Sequence, residues 1–383
     1  MSGDWQNAPM TNRILYVVTE DWYFLSHRLP MARAAKDAGY EIHVATRLNR
    51  GKATIEGEGF IPHALSWQRG SLSPTHALAV VIELRRLLRE LKPDILHNIS
   101  LKPVLLGSIA SLGLPSIALV NSLTGLGTLF AGNHRKSELT RPLVVAALKT
   151  LLERSNCRTI VQNPDDRRFV LDIGVSEESI DLIPGSGVDI THFTPSPEPP
   201  PPVTAAYVGR MLADKGVMTL IQAYSLATTR GIKLQLLLAG DCDRENPGSL
   251  APEQLREFAS AFGIHWLGYV TDIREVWAKA HIAVLASRRE GLPKSLLEAA
   301  ACGRPMIATD TPGCREIAIR DETALTFPVD DVPALADAMT RMAGDAEMRA
   351  RFGKTARELV ESKFSAYAIG KQTVALYQSL KRS

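Results

Sequence analysis

Residues 13–46, RILYVVTEDWYFLSHRLPMARAAKDAGYEIHVAT, decide the fold because they place a helical pattern between two short apolar runs. The runs at 13–19 and 41–46 contain several β-branched residues, which favour strands. The segment between them closes on Gly39, and glycine commonly follows the last turn of a helix. A strand, a helix and a strand in this order predict a parallel sheet with helices on its faces.

The same alternation occurs twice, and the chain of 383 residues is longer than a single core usually organises. The prolines of HFTPSPEPPPPV stiffen an extended connection between the two runs. We therefore predict a first doubly wound domain at 10–191, a proline-rich linker at 192–203, a second doubly wound domain at 204–362 and a final segment at 363–383. Ligands of such sheets bind beyond the carboxyl ends of the strands, so we expect the site in a cleft between the domains.

Composition narrows the class of protein. Apolar residues make up 45% of the chain and charged residues 22%, as in a soluble globular protein. A net charge of +3 is too small to predict a nucleic-acid partner. The first ten residues include one acid and no apolar run, and the four cysteines lack zinc-ligand spacing, so we expect reduced thiols in a cytoplasmic protein.

One uncharged stretch, residues 104–133, is long enough to cross a membrane. Gly113 and Pro115 interrupt it near the middle. We therefore expect a short helix, a turn and a buried strand in this stretch rather than a spanning helix.

The stretch SRREGLPKSLLEAAACGRPMIA, residues 287–308, places Glu290 and Glu298 on either side of a predicted helix start. Because proline suits the first turn of a helix, we expect 291–295 to form a helix N-terminus, which is a binding site for phosphate. Glu298, deeper in this helix, is then placed to accept hydrogen bonds from a diol such as ribose, and Glu290 faces whatever lies beyond the phosphates.

A second motif, YVGRMLADKG at 207–216, supplies two cations. Gly209 ends a predicted strand, Arg210 follows it, and Lys215 comes five residues later beside a glycine. Two cations at a strand end and a helix start are suited to binding one diphosphate.

Together these motifs closely resemble the donor-binding half of family 4 retaining glycosyltransferases. The segments FLSHRLPMARAAKDAGYEIHVAT, NSLTGLG and IPGSGVDITHFTP resemble the bacterial members that add sugars to lipid-linked surface polysaccharides. The resemblance implies an α/β protein of the GT-B fold, with two doubly wound Rossmann-like domains facing an interdomain cleft and the final segment crossing back to the first domain. It also implies a nucleotide-sugar donor, which we expect to be UDP-linked, and a lipid-linked or saccharide acceptor.

Carried over by position, the resemblance assigns residue roles. Arg210 and Lys215, next to Gly209, bind the donor diphosphate, and Glu298 holds the ribose. Glu290 bonds a hydroxyl of the transferred sugar. The loop around the phosphate and the sugar is Gly291, Leu292, Pro293, Lys294 and Ser295. Neither a metal nor another cofactor is implied.

Two departures from the family pattern affect the first domain. The loop TEDWYFLSHR replaces a glycine pair, and SLTGLG stands where many relatives carry an important histidine. Thr124 occupies that second place, so our candidate catalytic residues are Glu290, Thr124 and His27. His97 is a further polar residue of this domain, and both histidines have a structural role as the alternative.

Several alternatives stay open from the sequence alone. Asp241 and Asp243 resemble the metal-binding acids of another glycosyltransferase fold, and Glu290 with Glu298 are a candidate glycosidase pair. The helical stretch at 134–158 either packs on the first sheet or lies on an anionic membrane, which would place the protein peripherally on the inner face of the cytoplasmic membrane. Other functions are a nucleotide-sugar epimerase of the same fold and a non-catalytic two-lobed sugar-binding protein.

Overall fold

The structure, a computed structural model, describes residues 12–71, 73–124 and 135–380, and of residues 135–141 it describes only the helical backbone. The chain divides into two units. The first is formed by residues up to Ser186 together with those from Ile369 onward, and the second by Gly187–Ala368.

The described part of the first unit contains a seven-stranded parallel sheet of order β3-β2-β1-β4-β5-β6-β7. Its strands are β1 (Arg13–Glu20), β2 (Glu41–Arg47), β3 (Ile61–Ala64), β4 (Ile95–Ile99), β5 (Ala118–Leu123), β6 (Cys157–Val161) and β7 (Ile180–Leu182). Its helices are α1 (Asp21–His27), α2 (Leu29–Asp37), α3 (Lys52–Gly57), α4 (Pro74–Leu91), α5 (Leu101–Ala110), α6 (Arg135–Leu152) and α7 (Pro164–Asp172).

This sheet is buried on both faces, as predicted for parallel strands. Successive side chains of a strand point to opposite faces. Leu15 and Val17 accordingly belong to one apolar layer, and Ile14, Tyr16 and Val18 belong to the other. β1 therefore lies in the core of the unit, and its carboxyl end leads directly into α1.

The second unit contains, within its described residues, a six-stranded parallel sheet of order β10-β9-β8-β11-β12-β13. Its strands are β8 (Val203–Val208), β9 (Leu234–Ala239), β10 (His265–Gly268), β11 (Ile282–Leu285), β12 (Met306–Thr309) and β13 (Ala324–Phe327). Its helices are α8 (Val217–Thr229), α9 (Pro252–Phe262), α10 (Arg274–Lys279), α11 (Lys294–Ala301), α12 (Val332–Gly344) and α13 (Ala346–Leu359), followed by a short π-helical segment at Val360–Phe364.

The proline-rich stretch at 192–203, predicted as a linker, is bound by arginines of the second unit. Arg304 Nη2 donates to Ser196 Oγ at 2.6 Å, and Arg349 Nε is 2.8 Å from Glu198 Oε1. The division between the units falls before this stretch, at Ser186 and Gly187, and not at residue 191. Arginine contacts explain the difference, because Arg304 and Arg349 attach the prolines to the second unit and Arg357 Nη2 donates to the Ile190 carbonyl at 3.2 Å, before the prolines.

The backbone at this division is closely packed. Val188 N–H donates to the Phe364 carbonyl at 2.9 Å, and Ala366 N–H donates to the Val188 carbonyl at 2.8 Å. Gly187 has a φ of 67°, and a Cβ there would lie 2.8 Å from the Ala366 Cα. This position therefore requires glycine.

The last helix, α14 (Ala366–Ser379), begins in the second unit and continues into the first. Tyr377 Oη is 2.9 Å from Tyr16 Oη and 2.6 Å from His97 Nδ1. These contacts fix the end of α14 on the first sheet, and the chain enters the first unit again at Ile369 instead of residue 363.

Two predictions about the first unit concern long segments. The uncharged stretch at 104–133 contains the end of α5 and the whole of β5, as expected, while 125–133 lie outside the described residues. The helix predicted at 134–158 ends at Leu152, because residues 157–161 pair in the sheet as β6. Among the residues described, none of the helices is both long and apolar enough to cross a membrane.

Candidate active site

The first part of the site follows β8. A Cβ on Gly209 would lie 2.8 Å from the hydroxyl oxygen of Tyr207, so the chain needs a small residue there. The Tyr207 hydroxyl donates to the Arg210 carbonyl at 2.7 Å, which fixes the backbone of the arginine. Arg210 Nη1 in turn lies 2.8 Å from Asp243 Oδ2. Arg210 is therefore held both at its backbone carbonyl and at its guanidinium group.

Lys215 is placed by a tight turn that requires glycine. A 3₁₀ turn at Ala213–Lys215 ends at Gly216, which has a φ of 67°. A Cβ on Gly216 would lie 1.9 Å from the Ala286 carbonyl oxygen, so this turn packs directly on the end of β11. The Lys215 ammonium consequently reaches the loop after β11, where its Nζ lies 2.6 Å from Glu290 Oε1.

The loop that carries Glu290 packs against the turn after β12. A Cβ on Gly313, which has a φ of 76°, would lie 2.4 Å from the Gly291 carbonyl oxygen and 2.6 Å from that of Glu290. Leu292 is buried in the core of the second unit. The loop is thus held by backbone packing on one side and by an apolar anchor on the other.

Helix α11 starts later than the sequence predicted. Pro293 has a ψ of 111°, which is extended backbone, so it precedes the helix and does not form its first turn. Leu296 and Leu297 donate their amides to the Pro293 carbonyl at 3.1 and 3.2 Å. The N-terminal residues of the helix are therefore Lys294 and Ser295, and 291–293 form the preceding loop.

Glu298 lies on the buried face of α11. Burial raises the pKa of the Glu298 carboxyl, and the nearby Lys294 and His192 act in the opposite direction. Lys294 Nζ is 3.2 Å from Glu298 Oε1. A carboxylate buried beside the start of a helix, with an ammonium at hydrogen-bond distance, is suited to accept hydrogen bonds from a ligand hydroxyl.

The charged groups of these loops act on the same neighbours. Burial raises the pKa of the Tyr207 hydroxyl, the charge of Glu290 raises it further, and Arg210 lowers it. Burial also raises the pKa of the Cys314 thiol to about 12, with Glu290 adding to the effect and Lys215 opposing it. The structure therefore brings Arg210, Lys215 and Glu290 into one electrostatic cluster.

The candidates of the first unit lie on separate elements. Thr124 directly follows β5, and its Oγ1 is 2.8 Å from Ser100 Oγ at the end of β4. His27 ends α1, where its ring stacks on Tyr23 at a centroid distance of 4.4 Å and its Nδ1 is 2.6 Å from Ser26 Oγ. Because β1, β4 and β5 are parallel, their carboxyl ends share one edge of the sheet.

His97 has the structural role that was one of its two alternatives. It is fully buried, and its Nε2 lies 2.6 Å from Ser122 Oγ while Nδ1 contacts the hydroxyl of Tyr377. Burial holds the pKa of His97 well below its usual range. The imidazole therefore links the sheet to α14 as a neutral group.

Sequence reasoning missed Ser100 and the role of Asp243, which both lie next to the candidates. Ser100 has a φ of 75°, which is rare for a residue other than glycine, and it contacts Thr124. Asp243 was considered as a metal ligand, whereas its carboxylate pairs with Arg210. Both residues follow strands, and that position was the signal in the sequence. Within residues 12–71, 73–124 and 135–380, no group of three or more His, Cys, Asp or Glu side chains is arranged to hold a metal ion.

Comparisons with known proteins agree with this geometry. The sequence matches the family model for Glycosyl transferase 4-like proteins over residues 13–160 and the model for Glycosyl transferases group 1 over residues 202–345. A relative from Campylobacter jejuni, N,N'-diacetylbacillosaminyl-diphospho-undecaprenol alpha-1,3-N-acetylgalactosaminyltransferase, is 26% identical over 358 residues, which cover 88% of this chain and 92% of the relative.

Two solved structures have the same fold. Sucrose-phosphate synthase from Thermosynechococcus elongatus has a TM-score of 0.80 and 21% identity, covering 97% of this chain and 99% of the other. HepE of Anabaena in complex with UDP has a TM-score of 0.77 and 18% identity, covering 96% of this chain and all (100%) of the other.

The two parallel sheets, one in each unit, and the loops that carry Arg210 and Lys215 define a glycosyltransferase of the GT-B fold. The chain is a glycosyltransferase with a Glycosyl transferase 4-like domain in its first unit and a Glycosyl transferases group 1 domain in its second. The predicted family and fold are therefore confirmed. The epimerase and the non-catalytic binding protein are not favoured, because the matched families and the Campylobacter relative are glycosyltransferases.

Proposed function

We propose that the protein is a retaining glycosyltransferase that moves a sugar from a UDP-linked donor to a lipid-linked acceptor in the synthesis of a bacterial surface polysaccharide. The name of the Campylobacter relative describes transfer to a diphospho-undecaprenol-linked sugar. UDP is the ligand named for the Anabaena structure. Both support the proposed substrates of this chain.

The observation that carries the proposal is the contact between Lys215 and Glu290 beside Gly291, with Arg210 in the same cluster. A nucleotide-sugar diphosphate needs cations on its oxygens, and the sugar lies directly beyond the second phosphate. Lys215 is placed to bind that phosphate, and Glu290, at hydrogen-bond distance from Lys215, is placed to bind a hydroxyl of the sugar. Gly209 and the loop from Gly291 allow the backbone to approach the donor closely.

The same arrangement supports bond breaking. As the sugar leaves, negative charge grows on the departing diphosphate, and fixed cations stabilise this charge more than they stabilise the bound donor. Arg210 and Lys215 supply it with two positive charges, and the amides of Lys294 and Ser295 at the start of α11 add partial positive charge. We infer that a departing phosphate oxygen takes the proton of the acceptor hydroxyl, without a metal ion.

Glu298 is proposed to hold the ribose. Its carboxylate is buried on α11, one turn beyond Lys294, so it lies deeper than the groups proposed to bind the phosphates. An ionised carboxylate accepts hydrogen bonds at both oxygens, which matches the two hydroxyls of a ribose.

The acceptor is assigned to the first unit. Thr124 and Ser100 provide hydroxyls at the carboxyl edge of its sheet, and His27 follows β1 at the same edge. These groups are suited to hydrogen-bond a saccharide. We propose that Thr124 and His27 orient the acceptor hydroxyl.

A peripheral contact with the inner face of the cytoplasmic membrane is part of the proposal. Leu78 and Ile82 on α4 are each 60% exposed and lie one helical turn apart. Arg86, which is ion-paired with Glu90, and Arg89 extend the exposed side of the same helix. An apolar stripe continued by arginines is suited to a surface of anionic lipid, where a lipid-linked acceptor resides.

The reaction is tested with UDP-sugars in the presence and absence of a diphospho-polyprenol saccharide. We expect UDP release to require the acceptor, and proton NMR of the product to show the anomeric configuration of the donor. Inverted configuration would contradict the retaining mechanism. Conversion of the donor to its epimer without an acceptor would favour an epimerase.

Membrane contact is tested separately by flotation with phosphatidylglycerol vesicles. We expect the wild type to float at low salt, and the double variant Leu78→Ser and Ile82→Ser to stay at the bottom of the gradient. Leu182→Ser, which changes an exposed leucine on β7, serves as the matched control. Wild-type protein that does not float would contradict this part of the proposal.

A further inference from the structure

The loop after β9 supports the loop that carries Arg210 along its length. We call residues 240–250 the support loop. Met211 N–H donates to the Asp241 carbonyl at 3.0 Å, and Ala213 N–H donates to the Gly248 carbonyl at 2.8 Å. These two hydrogen bonds join the support loop to Met211 and Ala213, the first and third residues after Arg210, so they fix the two loops relative to each other.

A glycine contact makes the junction closer still. A Cβ on Gly240 would lie 1.9 Å from the carbonyl oxygen of Gly209, and Gly240 has a φ of 137°. Gly240 N–H also donates to the Gly268 carbonyl at 2.7 Å. The support loop therefore begins in direct backbone contact with the strand end that precedes Arg210.

Asp243 is the charged side chain that the support loop directs at Arg210. Its own amide donates to Ser249 Oγ at 2.8 Å, and its side chain is only 11% exposed. The side chain of Arg210 is 39% exposed, and its Nη1 lies 2.8 Å from Asp243 Oδ2. The nearly buried carboxylate of Asp243 thus holds the guanidinium of Arg210, whose side chain is longer and more exposed.

We propose that Asp243 is a positioning residue for the donor: it holds the guanidinium of Arg210 in the orientation that binds the diphosphate. The inference rests on the proposed role of Arg210. A guanidinium has five N–H groups in a planar fork, so one edge can bind a carboxylate while another binds phosphate. Holding the fork in advance reduces the conformational entropy that the arginine loses when the donor binds.

A simple counter-ion would act with the opposite sign. If Asp243 only neutralised Arg210 in the empty site, its negative charge would repel the diphosphate, and its removal would strengthen donor binding. The two roles are therefore separated by the direction of one change in affinity. Asp243→Asn is the test variant, because it removes the charge and keeps the size of the side chain.

Calorimetric titration of UDP into the full-length protein measures this direction. We expect Asp243→Asn to weaken UDP binding about tenfold with an unchanged thermal unfolding midpoint. Asp241→Asn is the matched control, since it removes the same charge from the same loop, and we expect no loss of affinity. UDP binding by Asp243→Asn that equals or exceeds that of the wild type would overturn the proposal.

A double-mutant cycle with Arg210→Met shows whether the effect passes through the arginine. We expect Asp243→Asn to cause no further loss in the Arg210→Met background, because no guanidinium is then left to position. Additive losses would overturn the inference. If Arg210→Met itself binds UDP as tightly as the wild type, the proposed role of Arg210 fails; if only Asp243→Asn is without effect, the inference fails alone.

Discussion

The ammonium of Lys215 lies 2.6 Å from the carboxylate of Glu290, although the two residues are 75 positions apart in the chain. This ion pair joins the turn before α8 to the loop before α11. The two motifs that carry the family resemblance are therefore parts of one site in the second unit. The proposed chemistry depends on this contact, because it places a cation for the phosphate next to a carboxylate for the sugar.

Glu290 should matter more for turnover than for nucleotide binding. UDP lacks the sugar that Glu290 is proposed to contact, so Glu290→Gln should reduce kcat by at least about tenfold while changing the affinity for UDP far less. Initial rates and calorimetry measure the two quantities. Glu322→Gln removes an exposed acid of the same unit and serves as the control. Wild-type turnover by Glu290→Gln would reject the contact with the sugar.

Glu298 should determine the response to the ribose hydroxyls. Loss of a hydrogen bond to a charged group costs about 1.5 to 3 kcal/mol, so Glu298→Ala should weaken UDP binding by about ten- to a hundredfold. The wild type should bind 2′-deoxy-UDP more weakly than UDP, and the variant should bind the two nearly equally. If the variant keeps the wild-type preference for UDP, Glu298 does not contact the ribose.

The raised pKa of Glu298 predicts a cost in stability as well. The unfolded chain ionises this carboxyl near its ordinary pKa of 4.5, whereas burial makes the folded protein retain the proton to higher pH. The contribution is therefore most favourable below the ordinary pKa, and it is lost as pH rises through the raised pKa of the folded state. Glu298→Gln lacks this loss, so urea unfolding from pH 4 to 8 should show its advantage over the wild type growing with pH.

An advantage that shrinks as pH rises would contradict a raised pKa. The same variant should bind UDP more weakly, because an amide is a poorer acceptor for ribose hydroxyls than a carboxylate. Together the two results would show that the buried Glu298 carboxylate lowers the free energy of unfolding and strengthens UDP binding.

Gly216 should be sensitive to the addition of a single methyl group. Gly216→Ala combines a left-handed backbone with a contact to the Ala286 carbonyl, and we expect a loss of at least about 2 kcal/mol in the free energy of unfolding. Gly263→Ala is the matched control, since Gly263 has a φ of 66° and no atom within 4 Å of the added Cβ. Equal losses in the two variants would show that the Ala286 contact is not important.

Part of the fold could be predicted from local patterns. The alternation of apolar runs and helical segments predicted two parallel sheets, because strands buried on both faces are apolar along their whole length. The division between the units at Gly187 could not be predicted from the prolines alone. It depends on Arg304, Arg349 and Arg357, which lie about a hundred residues or more from the stretch that they bind.

The site shows the same difference between local and distant information. Lys215 and Glu290 could be named because each lies in a motif with its own chemical meaning. The partner of Arg210 could not, since Asp243 lies in a loop whose sequence suggests a metal ligand, and only the pairing of β8 with β9 brings the two loops together. The late start of α11 depends on the extended ψ of Pro293. This ψ could not be predicted, because proline is compatible both with the position before a helix and with its first turn.

The central claim is that Arg210, Lys215 and the loop at Gly291 bind one diphosphate. The most direct test is calorimetric titration of UDP and of uridine into the wild type and Lys215→Met. We predict that Lys215→Met loses about ten- to a hundredfold in affinity for UDP and nothing for uridine, which has no phosphate. Wild-type affinity of this variant for UDP, or an equal loss for both ligands, would contradict the account.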